Sequence, residues 1–399
     1  MTLRFARRMD RLGTESAFEV LARARALERG GRSIVHLEIG EPDFATPEPV
    51  IAAAERAMRG GATHYTPAAG LPEVRAAIAE AASARGGRTV DPAEVVVVPG
   101  SKNILAFALL ALVEPGDEVI LPDPGYPIYR SLVDFIGAVA RPIVLRERND
   151  FRLDPEELAA LVGPRTRLLI LNAPHNPTGG TCTAADLDAV AELVCRHDLL
   201  VVSDEIYHRI VFAPQPAPLW SRPGLAERTV VLDGLSKTYA MCGWRLGYGV
   251  MPVELARRME TLLINTSACA AAFTQLAAVE ALRSPEAEAC VLAMVAEFRR
   301  RRDVLVTGLA RLPGVRAHRP DASFYAFPNI EGTGWDGRRL ADRLLQEAGV
   351  AVLAGEAFGR AGRGHLRLAY TVGVDQIEDA LERIGAFLRT VPPEPAAPG

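Results

Sequence analysis

Val230-Val-Leu-Asp-Gly-Leu-Ser-Lys237 is the stretch on which the reading of this chain turns. A short apolar run ends at a glycine, and a serine and a lysine follow at once. Apolar runs with little polar alternation suit strands buried on both faces, as in a parallel sheet covered by helices. The lysine stands out for a compositional reason. Two of the 45 basic residues are lysine, Lys102 and Lys237, which leaves 43 arginines. A neutral amine adds to an aldehyde, whereas a guanidinium stays protonated and does not. Lys102 has the same setting, because Val95-Val-Val-Val98 runs into Pro99-Gly-Ser-Lys102. Chance survival of two lysines in an Arg-rich chain is the competing explanation, and the surrounding residues weigh against it.

Working outward, further apolar runs lie at Glu118–Leu121, Leu168–Leu171 and Leu199–Val202, separated by longer amphipathic stretches. Asp91-Pro-Ala-Glu94 and Asp154-Pro-Glu-Glu157 read as helix starts, each with an N-cap, a first-turn proline and an early glutamate. The alternation predicts an α/β fold: a large domain over 48–285 with a mostly parallel sheet covered by helices. From 286 the texture changes. A long Ala/Glu/Arg helix runs through Phe298-Arg-Arg-Arg-Arg302, strand-like runs follow at Phe324–Phe327, Val350–Leu353 and Leu366–Tyr370, and a last helix ends near Leu388. That predicts a smaller α+β domain over 286–390. Residues 1–47 are an N-terminal arm and part of the small domain, and the Pro/Ala-rich 391–399 reads as a disordered tail.

With 399 residues and a formal charge of −4, the chain is long enough for two or three domains. A sequence pI of about 6.1 argues against nucleic acid as the main partner. The five cysteines form no C-x-x-C pair and no metal-finger spacing, so no metal is expected, and reduced thiols in a cytoplasmic protein are. Met1 to Asp10 is basic but lacks the apolar centre of a signal peptide, and no stretch reaches the roughly 18 apolar residues of a membrane span.

Ligands of parallel α/β sheets bind beyond the carboxyl ends of the strands. The residues just after the apolar runs are Gly100-Ser-Lys102, Pro122-Asp-Pro-Gly-Tyr126, Asn172-Ala-Pro-His-Asn176, Ser203-Asp-Glu-Ile-Tyr207 and Gly234-Leu-Ser-Lys237, with Cys242-Gly-Trp-Arg245 close behind. Together they supply an amine, a carboxylate, a phenol, an amide, an aromatic face, hydroxyls, an arginine and a Gly-opened helix N-terminus. That is the set of groups needed to hold pyridoxal 5'-phosphate.

The chain resembles the class I aminotransferases, within fold type I of the pyridoxal-phosphate enzymes. The resemblance is carried by Glu41-Pro-Asp-Phe-Ala-Thr-Pro47, Tyr65-Thr-Pro-Ala-Ala-Gly70, Asn176-Pro-Thr-Gly179, Asp204-Glu-Ile-Tyr207, Ser236-Lys-Thr-Tyr-Ala-Met-Cys-Gly-Trp-Arg245 and His365-Leu-Arg-Leu368, in the family's order over nearly the whole chain. It implies that Lys237 joins the cofactor through its amine and then moves the substrate's α-proton. Asp204 would face the pyridine nitrogen, although an Asp after a strand is also an ordinary N-cap. Tyr207 and Asn176 would bond the cofactor's phenolic oxygen, and Tyr126 would stack on its ring where many relatives carry Trp. Gly100, Ser101, Lys102, Ser236 and Arg245 would hold the phosphate, with Tyr65 reaching the phosphate of a neighbouring subunit. Gly40, Asn176 and Arg367 would take the substrate α-carboxylate, and His175 would stand behind them.

The expected activity is transfer of an amino group from an L-amino acid to a 2-oxo acid, 2-oxoglutarate or pyruvate, by a ping-pong route in a homodimer with shared sites. The nearest alternative on the same residues is a β-eliminating lyase or a cyclopropane-forming synthase. A regulator that senses the cofactor is disfavoured, since only 40 residues precede the first motif, too few for a DNA-binding domain. No arginine in Asn265-Thr-Ser-Ala-Cys269 stands out as a dicarboxylate ligand, which tilts away from a strict aspartate enzyme.

Overall fold

The computed structural model describes residues 3–393. Positions 394–399 of the expected tail, and the first two residues of the basic N-terminus, lie outside the described residues. A short strand β1 (Val35–His36) precedes the main sheet. That sheet has seven strands: β2 (Val95–Val98), β3 (Glu118–Asp123), β4 (Val139–Val144), β5 (Thr166–Asn172), β6 (Leu200–Asp204), β7 (Thr229–Gly234) and β8 (Gly247–Val250). Its order is β2-β8-β7-β6-β5-β3-β4. The pairs β3/β4, β3/β5, β5/β6 and β6/β7 are parallel, and only β8 runs against its neighbours β7 and β2.

Five of these strands contain the apolar runs read from sequence, and all four residues of β2 are buried. Two strands escaped that reading. β4 is an edge strand whose Val-Ala-Arg-Pro-Ile-Val is interrupted by polar residues, and Pro142 is tolerable because an edge leaves ladder positions free. β8 reads Gly-Tyr-Gly-Val, too short and Gly-rich for an apolar pattern. One helix start is corrected. The Asp91 capping box opens only a three-residue 3-10 turn, Pro92–Glu94, before the chain enters β2, because the β-branched Val95–Val98 that follow belong to the buried sheet. Asp154 does cap a helix, Pro155–Leu161, through the amides of Glu156 and Glu157.

The C-terminal part is built on the helix Pro285–Leu309, the helix Val374–Thr390 and four short strands: β9 (Tyr325–Ala326), β10 (Val350–Ala351), β11 (Leu353–Ala354) and β12 (Leu366–Ala369). β1 pairs in parallel with β10, so the N-terminal segment is stitched to the C-terminal one. One core cluster joins Leu37, Phe298, Phe324, Leu366 and Tyr370 to Tyr207 and Ile210 from beyond β6. That shared core fixes the C-terminal part against the carboxyl ends of the parallel strands. Among the described residues no helix is long and apolar enough to cross a membrane.

Candidate active site

A cavity of about 460 Å³ opens at those strand ends, within the size range of small-molecule and cofactor sites. Its lining includes Ser101, Lys102, Tyr126, Asn176, Asp204, Tyr207, Ser236, Lys237, Arg245, Gly40 and Arg367. Residues scattered over more than 320 positions meet because each parallel strand delivers its last residue to the same edge.

Asp204 closes β6 and is 6% exposed. Its Oδ2 accepts a 2.6 Å hydrogen bond from the Tyr129 hydroxyl, and its Oδ1 accepts one from the Ile206 amide at 3.3 Å. Burial pushes its pKa up to about 6, the two hydrogen bonds pull it down, and the nearby Asp233 and Glu205 charges push it up again. Asn172, the last residue of β5, donates to the Asp204 carbonyl at 3.0 Å and accepts from the Asn176 amide at 2.9 Å, which ties two strand ends together.

Lys237 lies in the short helix Leu235–Thr238 that follows β7. Its Nζ donates to the Gly40 carbonyl at 2.7 Å and lies 3.5 Å from Cys242 Sγ. Gly40 has no alternative at this point: a Cβ there would sit 1.9 Å from the Tyr325 hydroxyl. That hydroxyl is 3.0 Å from the Tyr207 hydroxyl, and the Tyr325 ring lies under the Arg367 guanidinium at 4.5 Å. Arg367, in β12, is buried between Tyr325 and Phe358, bonds the Glu38 carbonyl and reaches Asn176 Oδ1 at 3.4 Å. Its Nε has no hydrogen-bond partner among the described residues.

The helix Lys102–Leu112 starts at the cavity wall. Its first amides have no intrahelical acceptor, and its N-terminus carries partial positive charge. Gly247 of β8 lets that N-terminus approach, since a Cβ there would fall 2.3 Å from the Ser101 amide nitrogen. Gly100, at φ +87°, makes room for Arg245, whose Nη2 would be 2.2 Å from a Cβ. Arg245 itself sits in the left-handed region at φ 54°, and its Nη1 donates to the Cys242 carbonyl at 2.8 Å. Gly100 therefore lies behind the lining rather than in it.

Two sequence candidates stand apart. Tyr65 is 87% exposed and is not part of its own chain's cavity. His175 is buried behind Asn176, bonded to Thr178 Oγ1 at 2.8 Å, and burial pulls its pKa down to about 3, so it stays neutral. Three polar cavity residues escaped the sequence reading: Tyr129, Tyr325 and Glu15. Tyr129 lies one helical turn past Tyr126 and faces the same side, a spacing that could have flagged it. Glu15 and Tyr325 carried no local signal.

The residues present fit pyridoxal phosphate. A buried carboxylate whose charged neighbours are negative suits a ring nitrogen that becomes cationic. A helix N-terminus beside Ser236 and Arg245 suits a phosphate. An arginine with a spare buried N–H suits a carboxylate.

A profile of the family described as aminotransferase class I and II matches residues 32–384. An arginine–pyruvate transaminase from Pseudomonas aeruginosa is 41% identical over 92% of this chain and 93% of its own length. An aspartate/prephenate aminotransferase from Cereibacter sphaeroides is 38% identical over 95% and 97% of the two chains. The structure of the aspartate aminotransferase from Thermus thermophilus with maleate superposes with a TM-score of 0.93 at 36% identity, covering 96% of this chain and all of the other.

Proposed function

This chain belongs to the class I and II aminotransferase family and is an aminotransferase; from that premise we propose that it works with pyridoxal 5'-phosphate held in the cavity described above. The α/β fold with its mostly parallel sheet is that of the family's solved members. The relatives named above are aminotransferases, which does not favour the lyase or synthase alternative. The donors and acceptors in their names range over arginine, pyruvate, aspartate and prephenate.

The observation that carries the proposal is the pairing, in one cavity, of a half-buried amine with a buried carboxyl: Lys237 and Asp204. Pyridoxal phosphate, when bound, supplies an aldehyde that takes up the substrate amine and a ring that accepts the electrons left at the α-carbon. Arg367 receives the substrate α-carboxylate, helped by Asn176, and so fixes which bond at the α-carbon stands beside Lys237. Lys237 would take the substrate α-proton at its Nζ and give it back from there. The Gly40 carbonyl holds the amine at the cavity wall until then. Asp204, steadied by Tyr129, keeps the ring nitrogen protonated. Tyr207 and Asn176 would donate to the phenolic oxygen, and Tyr126 would stack on the ring. The backbone amides of Ser101 and Lys102, brought there by the Gly100 turn, would hold the phosphate together with the Ser236 and Arg245 side chains.

Tyr65, exposed on its own chain, reaches the phosphate site of a second copy, which makes the working unit a homodimer. The domain boundaries are placed at 47/48 and 285/286. Five free cysteines without a disulfide suit a cytoplasmic location. The test is a half-reaction. With a suitable L-amino acid and no acceptor, the holoenzyme forms one equivalent of 2-oxo acid per site and stops, and turnover resumes when a 2-oxo acid is added. Continuous release of pyruvate or ammonia without acceptor would establish a lyase instead.

A further inference from the structure

Glu15 stands at the start of the helix Ser16–Arg29, in the N-cap position, and its side chain makes no capping bond to that helix. The carboxylate turns instead to the cavity, where one oxygen accepts from both Lys102 Nζ and, at 2.6 Å, the Tyr126 hydroxyl. Four cationic side chains line this cavity: Lys102, Lys237, Arg245 and Arg367. Proton transfer, phosphate and α-carboxylate occupy the last three. Lys102 offers the phosphate only its backbone amide, so among the described residues its ammonium is the lining cation left for a substrate side chain, and Glu15 neutralises it. Glu41, exposed, also lines the cavity and adds a second carboxylate to it.

We infer that Glu15 sets substrate specificity: by holding Lys102 it denies a distal carboxylate its partner, and it leaves a net negative mouth that receives donors with a cationic side chain, a guanidinium or an ammonium. The inference rests on the aminotransferase reading and names its donor class. A carboxylate at the end of a donor side chain would enter a lining that holds Glu15 and Glu41 and whose Lys102 is already paired, and like-charge juxtaposition of this kind discriminates between ligands more than it adds affinity. A guanidinium would instead meet carboxylate oxygens, which accept from its N–H donors.

The test uses the holoenzyme and two compounds that lack an α-amine and so are not converted, 5-guanidinopentanoate and glutarate. Their dissociation constants are measured by calorimetry for the wild type and for Glu15→Gln, which keeps an acceptor for Tyr126 and removes the charge. In the wild type the guanidinium compound binds at least about tenfold more tightly, and in the variant the ratio falls to about one or inverts. The inference is overturned if wild type binds glutarate as well or better, if it shows no binding of the guanidinium compound, or if the variant keeps the wild-type ratio. The wild-type measurement alone decides this if the variant does not fold. Failure here leaves amino-acid half-reactions intact, whereas failure of the underlying reading abolishes them for every donor.

Discussion

Asp204 and Glu15 are carboxylates lining one cavity, and their surroundings are opposite. Asp204 ends a central strand, is buried, and is bonded by a fully buried tyrosine whose neighbours are core residues. Glu15 precedes an N-terminal helix and is paired with a half-exposed lysine. In the interior a charge is poorly solvated and its interactions are strong. At the mouth, water and salt screen it. Chemistry that must not vary is thus carried by strand ends in the sheet. Discrimination between side chains is left to a segment where a changed charge costs the fold little.

The sharpest way to break this contrast is Asp204→Asn, which is expected to lower kcat by about 10²–10³-fold, as loss of a preorganised electrostatic group does. The same substitution has a second consequence. The folded pKa of about 6 lies above the ordinary Asp value of about 3.9, so the cofactor-free folded chain binds this proton more tightly than the unfolded one. The group's contribution to stability is then fully present below about pH 4 and is lost as pH rises through 6. Apoprotein Asp204→Asn should therefore melt above wild type at pH 8, with the gap narrowing at pH 5. A variant that is less stable than wild type at pH 8 would show that the floor is not strained by its charge.

Tyr129→Phe comes next in size. It removes the hydroxyl that lowers the Asp204 pKa, so the acid limb of the kcat/KM profile moves to higher pH, and kcat falls by about tenfold, in line with one hydrogen bond to a charged group. An unmoved acid limb would separate Tyr129 from Asp204. Glu15→Gln is the smallest: its mark is the reversed ligand ratio described above rather than a collapse of turnover, as a screened site at the mouth predicts.

Most of the cavity floor was legible because each residue there follows directly on a short apolar run: Asn176 near β5, Asp204 on β6, Ser236 and Lys237 after β7. Strand order and chemistry are local facts of the chain in such a fold. What stayed hidden depends on contacts between distant positions. Tyr129 meets Asp204 across 75 residues and Glu15 meets Tyr126 across 111, with no pattern at either end to announce the partner. Tyr325 became a neighbour of Gly40 only through the pairing of β12 with β9 and the docking of the N-terminal segment on it. β8 was missed for a related reason. Its glycines are there to let Ser101 and Ile104 come close, so the strand gave up the side chains that would have revealed it.

Lys237 is the amine on which the chemistry depends, and a chain with two lysines makes that simple to test. The holoenzyme is reduced with borohydride, digested, and searched by mass spectrometry for the cofactor's mass on lysine. The account requires the label on the peptide carrying Lys237 and none on the one carrying Lys102, with no label in Lys237→Ala. Label on Lys102, or none on either lysine after reconstitution with pyridoxal phosphate, would contradict it.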